Sequence, residues 1–172
     1  MGVIMLTLGI ATTEQHYDEL LNLICHQNSS CLEIKFDWIQ LTWDQFGLYF
    51  RSKGTAYRIC DGQQLVGMCW VEKTDRILYV YGIIIQPEYQ SRGFGRRALE
   101  LLEARYQGQI DAIELSVHSS NPRAESFYER LDFKVIEYDD ETGFSLVRKK
   151  CVGTELNTQV RSAENSPLNT LD

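Results

Sequence analysis

Residues 77–102 read as a strand, a glycine-bearing turn and a helix with no slack between them, and this stretch restricts the fold more than any other. The apolar run Ile77-Leu78-Tyr79-Val80-Tyr81-Gly82-Ile83-Ile84-Ile85 leads to Gln90-Ser91-Arg92-Gly93-Phe94-Gly95-Arg96 and then to Arg97-Ala98-Leu99-Glu100-Leu101-Leu102. A strand that feeds a helix so directly opens a strand–helix–strand crossover, and residues 112–118 supply the second strand. The two strands are expected to be parallel and adjacent in one sheet.

The turn itself has a chemistry. A helix start exposes unpaired backbone N–H groups and the positive end of the helix dipole, which together attract phosphate. Gly93 and Gly95 let the backbone approach an anion without a Cβ in the way. Arg92, Arg96 and Arg97 concentrate positive charge there, in a chain whose formal net charge is -7. No Gly-Lys-Ser/Thr follows, which excludes a P-loop, and no third glycine completes a dinucleotide fingerprint. Taken alone, a G-x-G turn fits a tight connection without ligand as well as it fits a phosphate site.

A second motif decides between them. The turn resembles the phosphate loop of the GNAT superfamily of acetyl-CoA-dependent N-acyltransferases, Gln/Arg-x-x-Gly-x-Gly/Ala, through Gln90, Gly93 and Gly95. The approach Ile85-Gln86-Pro87-Glu88-Tyr89-Gln90 matches as well, and so does a later stretch made of Leu115-Ser116-Val117, Asn121, Ala124, Phe127-Tyr128-Glu129, Leu131 and Phe133. The resemblance is strong over 77–134 and extends as a pattern over 5–76. It implies that the backbone of residues 90–96 (Gln90, Ser91, Arg92, Gly93, Phe94, Gly95, Arg96) holds the pyrophosphate of acetyl-CoA. It further implies that the strand splays from its parallel neighbour, so that the pantetheine arm bonds the backbone of Ile83, Ile84 and Ile85. Gly82, which interrupts a β-branched run, fits a bulge at that splay.

By the same resemblance Asn121 would bond the pantetheine amides, with helix capping before Pro122 as its other role. Tyr128 would protonate the departing thiolate, and an unperturbed phenol, of pKa about 10, is a proton donor at neutral pH. The general base departs from the family pattern. Histone-type members carry a glutamate where this chain has Tyr79, and acetylases of ribosomal-protein N-termini carry one where it has Ser116. Glu72, Glu114 and His118, each acting through water, are the alternatives, and the sequence leaves them open.

The remaining chain completes one α/β domain over residues 1–150, a central mixed, twisted sheet flanked by helices with splayed parallel strands at 77–85 and 112–118. Residues 5–10 read as a strand. Thr12 or Thr13 caps a helix carrying Tyr17, Leu20, Leu21 and Ile24 at helical spacing, and Thr42 with Gln45 forms a capping box before a second helix. Residues 55–60 and 64–72 pair across Asp61-Gly62, residues 122–130 form a short helix, and 134–138 with 144–148 make a closing hairpin. Residues 151–172, polar and without aromatics, are expected to be a flexible tail.

Composition limits function. The acidic balance argues against a nucleic-acid partner. No apolar run approaches the roughly 20 residues of a membrane span, and the N-terminal residues lack the features of a signal sequence, so a cytoplasmic protein without membrane contact is expected. Cys25, Cys31, Cys60, Cys69 and Cys151 show no C-x-x-C spacing, and no metal site is expected. The expected reaction is acetyl transfer from acetyl-CoA to an amine, small molecule or protein, by direct attack in a ternary complex. A non-catalytic acyl-CoA sensor of the same fold is the alternative, and a homodimer is left open. Phe36, Trp38, Trp43, Phe46 and Tyr49, with the acidic Asp139-Asp140-Glu141, suit a cationic acceptor.

Overall fold

The polar caps foreseen in the sequence open three of the four α-helices among the described residues. Thr13 Oγ1 accepts the His16 N–H at 3.2 Å ahead of α1 (Glu14–His26). A reciprocal Thr42–Gln45 box, with bonds of 2.8 and 3.3 Å, starts α2 (Trp43–Ser52). Asn121 Oδ1 accepts the Ala124 N–H at 3.1 Å to start α4 (Pro122–Glu129). The exception is α3 (Phe94–Arg105), which begins at Gly93 with φ +82° and no side-chain cap. Its first N–H groups are left for another acceptor.

The computed structural model describes residues 5–26 and 41–151. Phe36, Trp38, Cys31 and the polar stretch 152–172 lie outside the described residues. The strands β1 (Leu6–Ile10), β2 (Thr55–Asp61), β3 (Gln64–Thr74), β4 (Ile77–Ile85), β5 (Ala112–His118), β6 (Lys134–Asp139) and β7 (Phe144–Lys150) form one sheet. Its order is β1-β2-β3-β4-β5-β7-β6. Every neighbouring pair is antiparallel except β4 and β5, which are parallel as the crossover requires.

Each face of the sheet carries its own core. On one, Leu78 and Val80 of β4 and Leu115 and Val117 of β5 pack under Phe94, Ala98, Leu99 and Leu102 of α3. On the other, Met68 and Trp70 of β3 meet Leu20 and Ile24 of α1 and Phe46 and Phe50 of α2. Residues 66–71 of β3, covered on both sides, are buried without interruption and show no alternation. Full burial of such an apolar side chain contributes about 1.5–3 kcal/mol.

Two irregularities position the site. Trp70 pairs with Gly82 but Val71 pairs with Val80, so Tyr81 is an extra residue on β4, a bulge next to the glycine that suggested one. Parallel pairing between β4 and β5 ends at Val80 and Leu115. Beyond that point β4 follows β3 up to Ile85, and β5 follows β7 up to His118. The expected splay is therefore a fork, with each strand kept by its outer neighbour.

Gly67 supports the β3 side of that fork, because a Cβ there would lie 2.2 Å from the Ile84 carbonyl oxygen and 3.1 Å from Ile85 Cα. Gly67→Ala must displace backbone, and should destabilise the protein by at least the roughly 1–3 kcal/mol of core overpacking. Gly9→Ala, where a Cβ meets nothing within 4 Å, should leave the melting temperature nearly unchanged. Equal melting temperatures for the two variants would contradict the close β3–β4 approach.

Candidate active site

The turn before α3 has the backbone conformation that an anion cradle would need. Ser91 has φ +61° and Gly93 φ +82°. A left-handed serine costs on the order of 1–3 kcal/mol and persists where surrounding structure demands it. The first helical bond is Arg97 N–H to the Gly93 carbonyl at 3.0 Å, so the preceding N–H groups at 94–96 have no intrahelical acceptor. A Cβ on Gly93 would meet nothing within 4 Å, which marks that side as open space. Gly95 does something else. Its Cβ would stand 3.3 Å from Phe127 Cζ, so its lack of a side chain lets α3 close on α4, a packing role beside the one the motif suggested. Phe94 is buried beside Tyr89 and offers the turn only its N–H.

The arginines are less uniform than the sequence implied. The Arg92 guanidinium lies 5.6 Å over the Tyr89 ring. Arg96 and Arg97 both bind Glu100, at 3.3 and 3.0 Å, and these two cations hold the Glu100 carboxyl below its ordinary pKa. Glu100 thus cancels part of the charge at the helix start. A cation the sequence reading missed compensates. Arg123, on α4, reaches Gln90 Oε1 at 3.5 Å and Ser91 Oγ at 3.4 Å. Only its place after Asn121-Pro122 could have signalled it, since α4 is far in sequence from the turn it touches.

Ladder phase settles which backbone groups face the fork. Gln86 N–H donates to the Val66 carbonyl at 2.9 Å, so in the alternating antiparallel pattern residues 84 and 86 turn their polar groups to β3. Residues 83 and 85 turn theirs to the open edge that β5 has left. The expectation for Ile83 and Ile85 fits this phase. For Ile84 it does not, because its N–H and C=O are spent on β3 and its side chain packs against the α1–α2 core. Gln90 Nε2 donates to the Ile85 carbonyl at 2.9 Å, which ties the anion turn to the strand edge.

Tyr128 packs on the same core as the Ile83 and Ile85 side chains, edge-on to Phe127 at 5.1 Å and to Phe133 at 5.4 Å. Its hydroxyl has no hydrogen-bond partner among the described residues, and burial alone pushes its pKa up to about 12. It is therefore a protonated phenol throughout the neutral range. The Asn121 oxygen is engaged as the helix cap, the other of its two expected roles.

The base candidates separate clearly. Glu114 is bound by Arg148, with Arg148 Nε donating to Glu114 Oε1 at 2.6 Å. His118 Nδ1 accepts the Ser120 N–H at 3.1 Å, which leaves Nε2 to donate to the Thr142 carbonyl at 3.0 Å. Both ring nitrogens are committed to local structure. Asp139 is turned inward on the hairpin loop, accepting from Glu141 and Thr142. Glu72 accepts the Tyr81 hydroxyl at 2.5 Å and pairs with Lys53 at 3.0 Å, and both interactions hold its carboxyl below the ordinary range. Tyr79 and Ser116 hydrogen-bond to each other at 2.8 Å across the base of the fork. Among the described residues no group of three His, Cys, Asp or Glu side chains is placed to hold a metal ion, and no helix is long and apolar enough to cross a membrane.

The fold is shared with solved N-acetyltransferases. The spermidine N-acetyltransferase of Vibrio cholerae in complex with CoA and spermine superposes with a TM-score of 0.66 at 21% identity, covering 85% of this chain and 95% of that one. The ribosomal-protein-S18-alanine N-acetyltransferase of Escherichia coli gives 0.65 at 17% identity, covering 89% and 98%. An acetyltransferase from Thermus thermophilus gives 0.64 at 18%, covering 87% and 99%. At these identities the likeness is one of fold. No curated protein matches the sequence significantly. The model of the Acetyltransferase (GNAT) family matches residues 17–133, and the chain belongs to that family of N-acetyltransferases.

If Arg92 and Arg123 flank the cradle, Arg92→Glu combined with Arg123→Glu should weaken acetyl-CoA binding at least about tenfold, since charge-assisted bonds contribute about 1.5–3 kcal/mol each. Calorimetry on the folded double variant, with dephospho-CoA as a second ligand, measures the loss. An unchanged affinity would remove the turn from the binding site.

Proposed function

We propose that this protein transfers the acetyl group of acetyl-CoA to an amine by direct attack in a ternary complex. The observation that carries the proposal is the fork: residues 83 and 85 turn backbone groups away from β3 toward a gap that opens beside an uncapped, arginine-flanked helix start. A thioester on an amide-bearing arm, with a pyrophosphate at its far end, matches both halves of that surface. The N–H groups at 91–96 would hold the phosphates, the Ile83 and Ile85 backbone would pair with the arm, and the Ile83 N–H would polarise the thioester carbonyl. Tyr128 would give its proton to the sulfur as the C–S bond breaks.

The acceptor would approach from the sheet face opposite α3, where Tyr49, Trp70, Tyr79 and Tyr81 form a continuous aromatic panel. Such a panel with Glu72 at its margin suits a cationic amine, small molecule or protein-borne. The described cysteines are all free thiols, as suits a reducing cytoplasmic setting.

Tyr128→Phe tests the acid. It keeps the ring and its packing but deletes the donor, so kcat should fall by about 10²–10⁴ while acetyl-CoA affinity barely changes. Near-wild-type kcat in the folded variant would take Tyr128 out of the mechanism. A wild type that binds acetyl-CoA but acetylates no member of a broad amine panel would leave an acyl-CoA-binding module in place of an enzyme.

A further inference from the structure

Among the described residues, Glu114 at the base of the fork is held by Arg148, while a chain of polar groups leads from Tyr81 to solvent. Tyr81, the bulged residue of β4, directs its hydroxyl to Glu72 Oε2 at 2.5 Å. The other Glu72 oxygen meets Lys53 Nζ at 3.0 Å, and the Glu72 side chain is 27% exposed. The array is rigidly held. The Tyr81 ring stacks on Trp70 with centroids 4.3 Å apart, and Trp70 Nε1 donates to the Lys53 carbonyl at 2.6 Å, which anchors the end of α2 over β3. Tyr79 and Ser116, the neighbouring hydroxyl pair, bond to each other and lead on to no carboxylate.

We propose that the Tyr81 hydroxyl takes the proton of the incoming ammonium as it passes its own to Glu72, making these two residues the base of the reaction. The inference rests on the N-acetyltransferase reading above. The proton balance is explicit. An ammonium loses one proton to a tyrosine oxygen as the Tyr81 hydroxyl proton moves to the Glu72 carboxylate, which releases it to solvent. The neutral amine then attacks the thioester carbon, the C–S bond breaks, and Tyr128 protonates the thiolate. The second proton leaving the amine nitrogen restores Tyr128, so each turnover yields an amide, a thiol and one released proton.

Tyr81 need not ionise, which matters because burial and the Glu72 bond raise its pKa. The titratable groups facing Glu72 and Tyr81 are Lys53 and Tyr49 from α2 and Tyr79 from β4, while Glu114 of β5, near Tyr79, is neutralised by Arg148. Lys53 and the Tyr81 hydroxyl keep Glu72 ionised to below the usual carboxylate range, so it conducts protons to solvent and does not store them.

The test is the pH profile of kcat/KM for wild type, Glu72→Gln and Tyr81→Phe, on the best acceptor from a panel of benzylamine, spermidine and an alanine-initiated peptide. With a working relay the wild type draws on the abundant ammonium form and stays active well below the acceptor's own pKa. Either variant should lose about 10²-fold at pH 7. Each should recover toward wild type as pH passes the acceptor pKa, about 10 for an alkylamine, because free base then needs no deprotonation. The double variant should be no worse than the singles. Rates depressed equally at every pH would assign Tyr81 and Glu72 a structural role and overturn the proposal. Wild-type inactivity toward the whole panel would instead overturn the N-acetyltransferase reading, and this inference with it.

Discussion

The early end of β4–β5 pairing is the constraint on which the rest of this molecule depends. Parallel partners that kept their register would satisfy each other's backbone groups and leave no gap. Here each strand is held more extensively by its antiparallel outer neighbour, β3 or β7, than by the other. Antiparallel pairing is slightly more stable per residue, so when twist forces a choice the outer pairings survive. The extra residue at Tyr81 adds local twist at the point of separation. An open strand edge is ordinarily a liability. Enclosed between two cores, this one is protected from other chains while it remains free to pair with an extended ligand.

The fork also explains why one helix differs from the others. A side-chain cap spends its oxygen on the first N–H groups of a helix, as Thr13, Thr42 and Asn121 do. Gly93 has no such oxygen and bends the chain into a left-handed turn instead. The stability lost at one helix start, about a few tenths of a kcal/mol with glycine at the cap position, leaves its first donors open.

Much of this was legible in the sequence, because the determinants are local. The Thr42-x-x-Gln45 box, Asp61-Gly62 at a hairpin, Pro122 at a first turn and the strand–turn–helix around Gly93 each act within a few residues, and each element was found where they placed it. What could not be read was set by register and by contacts distant in sequence. The ladder phase that turns Ile84 away from the fork is fixed by Gln86 and Val66. Arg123 on the anion turn, Arg148 on Glu114 and the Lys53–Glu72–Tyr81 array join residues from separate elements. Spacing along the chain carries no trace of them.

The contact between Gly95 and Phe127 has a further meaning. Phe127 precedes Tyr128 on a short helix, and Gly95 sits one residue inside the start of α3. The position of the phenol is thus gauged against the place where phosphates would dock, with only a bare Cα as spacer. A methyl group at 95 would act as a shim between the two helices, moving Tyr128 relative to the turn without touching either. The width of that one gap is thus a dimension along which the phenol can be repositioned while the fork and the cores stay as they are.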